Sequence, residues 1–187
     1  MKYFIFFLIF ILAGCESIPE IKESEEWQQI ISATSNRVPG TALPPDFRLL
    51  YIFPVYHEPE DKIIAQMLFE RLVDLFRKDG TVIPTSNFDE AHGVLALRIV
   101  RFARQILTKD DNGFPDETFL ACNVRFIVKD LRYNRILLQN EIEEKYVYHR
   151  VPKPDETEPP QDETTAVGNL LNKVATNVIK MTVAGFY

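Results

Sequence analysis

The chain is poor in the residues from which chemical sites are usually built. Its 187 residues include two cysteines, three histidines, one tryptophan and seven glycines. Two cysteines cannot form a disulfide framework, and His57, His92 and His149 lie too far apart, without helical or finger-like spacing, to suggest a metal centre. No Gly-x-Ser-x-Gly, phosphate loop, Gly-x-Gly-x-x-Gly or paired-carboxylate signature occurs, so neither an enzyme nor a cofactor is expected. No apolar run approaches the ~20 residues of a membrane-spanning helix. Basic residues are also outnumbered, 21 against 27 acids, for a formal charge of −6. That balance argues against a nucleic-acid partner and against broad adhesion to anionic headgroups, while leaving room for a local basic patch.

What is present begins with Lys2, the apolar run Tyr3 to Leu12, and Leu12-Ala13-Gly14-Cys15. The run is too short to span ~30 Å of hydrocarbon, and the small residues Ala13 and Gly14 suit a signal peptidase. This segment resembles the lipobox of bacterial lipoproteins, in which the cysteine thiol is diacylated, the chain is cut before it and the new amine is acylated. Residues 1–14 are therefore expected to be a signal peptide and Cys15 the lipid anchor. Each buried methylene contributes about 0.8 kcal/mol, so three chains exceed what stable anchoring requires. Glu16 follows the cysteine in place of the aspartate that retains many lipoproteins at the inner membrane, which favours the outer membrane, on its periplasmic side. Removal of Lys2 with the signal takes the charge to −7 over the remaining 173 residues.

Residues 15–47 are polar and proline-containing, and read as a lipidated N terminus and tether. Residues 48–187 read as one domain. Arg48 to Val55 suits a first strand closed by Pro54; Ile64, Met67, Leu68, Leu72, Leu75 and Phe76 recur at helical spacing; Gly80 stops that helix, and Thr81 to Pro84 can return as a short strand. Gly93 to Ile106, Thr118 to Lys129 and Arg135 to Tyr148 form a β meander. Its first turn, Lys109 to Gly113, has Asn112-Gly113 to supply positive φ angles. A proline-rich acidic loop, Pro152 to Glu163, leads to a last helix with Val167, Leu170, Leu171, Val174, Val178 and Met181 on one face. The order is β-α-β-β-β-β-α: an α+β two-layer sandwich, with a mainly antiparallel sheet of four to five strands and two helices on one face.

Few residues in this frame carry candidate chemistry. Asp110, Asn112, Asp116 and Glu117 are too closely spaced, and flanked by strands, to be a calcium loop. Cys122 falls on the strand face of Leu120, Val124, Phe126 and Val128, the place of a small buried hydrophobe. There remains a basic cluster. Arg98 and Arg104 share one face of the long strand by strict alternation, Arg101 takes the other, and Arg125 and Lys129 lie on the polar face of its neighbour. If Arg98, Arg104, Arg125 and Lys129 share the helix-free face, they form a patch for phosphate oxygens; the alternative is solvated residues paired with Glu141, Glu143 and Glu144.

The domain resembles the lipopolysaccharide-assembly lipoprotein family, LptE. The likeness is carried by Leu50-Tyr51-Ile52-Phe53-Pro54-Val55, by the helix Ile64 to Phe76 with Arg77-Lys78-Asp79-Gly80, and by Asp89-Glu90-Ala91-His92-Gly93-Val94-Leu95. Val124-Arg125-Phe126-Ile127-Val128-Lys129-Asp130 and the helix from Thr165 complete it. The resemblance implies a sandwich that plugs an LptD-like outer-membrane β-barrel, binds lipopolysaccharide and assists barrel assembly and lipid delivery to the cell surface. Basic sheet residues that meet lipid A phosphates in the family suit Arg98, Arg104, Arg125 and Lys129. The long tether and the acidic loop are departures. An auxiliary lipoprotein of an ABC-type lipid transport system is the alternative, since its domain has a similar element order.

Overall fold

The computed structural model describes residues 43–57, 62–150 and 160–184. Cys15, nearly all of the tether, the loop stretch 152–159, Phe186 and Tyr187 lie outside the described residues. The elements follow the expected order: β1 (Leu49–Ile52), α1 (Lys62–Asp79), β2 (Ile83–Thr85), β3 (Gly93–Lys109), β4 (Pro115–Asp130), β5 (Arg135–His149) and α2 (Glu163–Ala184). They form an α+β sandwich with one open five-stranded sheet, ordered β2-β1-β3-β4-β5.

The sheet is mixed. β1 runs parallel to both β2 and β3, whereas β3, β4 and β5 are an antiparallel meander. α1 carries the chain from β1 back to a parallel β2, and β2 is the short edge. Periodicity finds strands but not their partners, so this pairing was not legible in the sequence.

Both helices lie on one face of the sheet. Leu68, Leu72 and Phe76 of α1 and Leu170, Val174 and Val178 of α2 are completely buried against Leu50, Leu95, Leu97, Leu120, Cys122, Val124, Phe126 and Val128. Each large side chain removed from water in this way contributes about 1.5–3 kcal/mol. The expected face of α2 is observed, with Val167 and Leu171 buried and Met181 packed at its margin. Asp162 caps α2: its Oδ1 accepts a hydrogen bond from Thr165 N at 2.6 Å while its carbonyl receives Ala166 N.

Gly93, where β3 starts, allows a close approach. A Cβ there would stand within 3.0 Å of both the Lys129 carbonyl oxygen and the Phe47 ring. In the β3–β4 turn, Gly113 adopts φ 83° but Asn112 is not left-handed. Asp110 Oδ1 instead holds the turn by accepting from Asn112 N and Phe114 N. The β4–β5 turn uses Asn134 at φ 50°.

Candidate functional site: the helix-free face of the sheet

Alternation along β3 and β4 decides which side chains reach the face without helices. In β4, Leu120, Cys122, Val124, Phe126 and Val128 point to the core, so Asn123, Arg125, Ile127 and Lys129 point away from it. In β3, Val94, Ala96 and Arg98 stand opposite Lys129, Ile127 and Arg125, and they share that helix-free face. Then the register slips: Ile99 pairs with Val124, but Arg101 pairs with Asn123, so Val100 is an extra residue with no partner.

The bulge corrects the expected patch. From Arg101 to Ile106, where the register slips again, every side chain changes sides, which sends Arg104, opposite Leu120, to the helix side and Arg101 to the helix-free face beside Arg98. Arg104 Nη1 there pairs with Glu163 Oε1 of α2 at 2.9 Å. Of the four arginine and lysine residues expected together, Arg98, Arg125 and Lys129 share the face and Arg104 does not. Nothing in an uninterrupted run of strand-forming residues marks Val100 as the bulge.

The electrostatics of the face are partly neutralised. Arg98 and Arg125 are directly opposite each other, an arrangement that costs energy unless the charges are compensated. Arg125 directs Nε and Nη2 at Glu141 Oε2, at 3.0 and 2.8 Å, and Asn123 Nδ2 donates to Oε1 at 3.0 Å. These bonds, Arg125 first, hold the Glu141 carboxyl below its ordinary pKa. Arg98 lies over the Tyr56 ring, with its guanidinium carbon 5.0 Å from the centroid. The expected cross-ladder pairing is therefore observed for Arg125, while Glu144 faces the helices and bonds Asn177. Among the described residues Arg101 and Lys129 form no ion pair.

The same face has an apolar half. Tyr51 pairs with Val94 and stands with Phe53 and Phe88 in an aromatic cluster, with centroids 5.1 Å apart for Tyr51 and Phe53 and 5.4 Å for Tyr51 and Phe88. Val94, Ala96 and Ile127 lie between this zone and the arginines and are themselves buried. The cluster is not legible in the sequence because its members come from β1, from the residue that follows it and from the loop before β3. The available signal was the alternation of Tyr51 and Phe53 against buried Leu50 and Ile52.

The histidines do not converge. His92 Nδ1 accepts from Arg48 N at 3.0 Å and its ring meets Phe47 edge-on, whereas His149 Nε2 lies 3.8 Å from Glu117. No group of three or more metal-binding side chains occurs among the described residues. The face carries guanidinium and ammonium groups at one end and aromatic rings at the other, with buried Val94, Ala96 and Ile127 between them, a combination that suits an amphiphile with an anionic head.

No family model matches the sequence, and no curated protein matches it. Solved structures do share the fold. Uncharacterized lipoprotein B from Nitrosomonas europaea superposes with a TM-score of 0.52 at 15% identity, covering 81% of this chain and 90% of that one. The hypothetical protein CT253 from Chlamydia trachomatis gives 0.50 at 11% identity, covering 74% and 99%. A minor lipoprotein from Acinetobacter baumannii gives 0.47 at 16% identity, covering 74% and 94%. At these identities the likeness is one of fold.

Proposed function

We propose that this protein is an outer-membrane lipoprotein, anchored through acylated Cys15, that partners and plugs a lipopolysaccharide-translocating β-barrel and assists its assembly and lipid insertion. The observation that carries the reading is the helix-free face, where Arg98, Arg101, Arg125 and Lys129 share one side of the sheet with Tyr51, Phe53 and Phe88. Phosphates of lipid A pair with guanidinium and ammonium groups while its acyl region meets the aromatic half. Glu141 compensates Arg125, so the net attraction falls to Arg101 and Lys129. Anchoring confines the domain to the membrane plane and raises its effective concentration near a membrane partner. The fold and the lipobox support this reading.

Two measurements test it. Mild-detergent purification of the acylated protein from its own membranes is expected to recover a stoichiometric outer-membrane barrel. Recovery of an inner-membrane permease instead would move the protein to ABC-type lipid transport. In a lipopolysaccharide-binding assay, Arg98→Gln, Arg101→Gln and Lys129→Gln together should weaken binding by more than tenfold, since each charge-assisted hydrogen bond contributes about 1.5–3 kcal/mol. Arg104→Gln should leave binding unchanged. Equal loss in both variants would remove the helix-free face from the proposal.

A further inference from the structure

We propose that the open edge of β3, from Phe102 to Lys109, accepts an extended acidic segment of a partner polypeptide as an added strand. This inference does not depend on lipopolysaccharide binding. β3 is 17 residues long, but β1 covers only its beginning, through Gly93 to Leu95 and a single bridge between Tyr56 and Arg98. Beyond Ile99, β3 is bonded to β4 alone among the described residues.

The backbone groups on that edge are identifiable. The Leu95 and Leu97 carbonyls and the Ile99 amide point towards β1, where they meet Phe53, Tyr56 and again Tyr56. The extra residue Val100 shifts the alternation by one, so Phe102, Arg104 and Ile106 take over that outward direction. Each presents an N–H and a C=O to the side away from β4. Unpaired groups of this kind are a template for strand addition. Exposed apolar side chains flank them, with Val100, Ile106 and Leu107 at 43%, 41% and 46% exposure, and no proline interrupts the stretch.

Charge selects the occupant. Between Val100 and Lys109 there are three cations, Arg101, Arg104 and Lys109, and no carboxylate. Two copies of this edge would therefore set cation against cation, which opposes self-pairing. Arg104 is held by Glu163, but Arg101 and Lys109 form no ion pair among the described residues. A strand with carboxylates on one face and apolar residues on the other matches both Arg101 and the exposed Ile106.

The test uses the full-length chain in detergent micelles, with a short synthetic peptide of alternating valine and glutamate as probe and a valine–lysine peptide as control. Amide hydrogen exchange followed by NMR should show Phe102, Arg104 and Ile106 exchanging at least tenfold faster than Ala103 and Gln105 before any addition. The glutamate peptide should slow those three amides at least tenfold, and the lysine peptide should not. Ile106→Pro removes an outward donor without touching the β3–β4 ladder, and should abolish the protection at Phe102 and Arg104. Arg101→Glu with Lys109→Glu should transfer the protection to the lysine peptide, and this variant decides the matter if the proline variant fails to fold. The proposal is overturned by slow exchange before any peptide is added, by equal protection from both peptides, by no protection from either, or by self-association through this edge.

Discussion

Arg104 Nη1 lies 2.9 Å from Glu163 Oε1, so an arginine that regular alternation would aim away from the helices is tied to the first residue of α2. The cause is Val100, four residues earlier, which adds one residue to β3 without adding a partner in β4. The side-chain content of both faces of the outer half of β3 depends on that residue being left out of the pairing.

Deleting Val100 should therefore be tolerated. Without it Ile99 and Arg101 still oppose Val124 and Asn123, and every later residue keeps its face. The coupling between Arg104 and Glu163, about 0.2–1 kcal/mol for a partly exposed pair, should survive in a double-mutant cycle. Deleting Ala103 forces either Arg104 off the helix side or Arg101 onto it, and should destabilise the domain by at least about 2 kcal/mol more. Equal costs for the two deletions would show that Val100 is not the extra residue of β3.

Gly93→Ala should be severe for a single methyl group. Its Cβ would collide with a backbone carbonyl, that of Lys129, and with the buried Phe47 ring, and the carbonyl cannot move without breaking the β3–β4 ladder. Overpacking of this kind costs about 1–3 kcal/mol or more. Urea denaturation should show a lower midpoint at unchanged slope, and Phe47→Leu should relieve only part of the loss.

The Cys122 thiol should be chemically silent in the native protein. It forms no disulfide and is fully buried between β4 and the helices. A thiol reagent should label it only as fast as the domain unfolds, and Cys122→Ala should cost about 1 kcal/mol, in proportion to the small volume removed. Rapid labelling under native conditions would contradict the burial.

Acid should weaken the fold through three carboxyls that lie below their ordinary values of 3.8 for Asp and 4.5 for Glu. Hydrogen bonds from Arg132 lower Asp46, those from Arg125 and Asn123 lower Glu141, and the backbone amide of Thr165 lowers Asp162. Because the folded values are the depressed ones, their contribution is complete above the ordinary values and is lost as pH falls through and below them. Denaturation midpoints should be flat from pH 7 to 5 and decline from there to pH 3. Asp162→Asn keeps a capping group but loses the titration, so with Glu141→Gln it should flatten the decline. An unchanged decline in that double variant would assign acid sensitivity to other groups.

Sequence alone determined the elements and the core. The helical spacing of Leu68, Leu72 and Phe76 and the alternation of Leu120 to Val128 follow from burying one face of each element, and burial is a local property of residue type. Only the tertiary structure decided the parallel placement of β1, the aromatic cluster of Tyr51, Phe53 and Phe88, and the company that Arg101 and Arg104 keep. Each of these depends on register between segments far apart in the chain, and a register that slips by one residue at Val100 leaves no trace in the local pattern because valine suits either face of a strand.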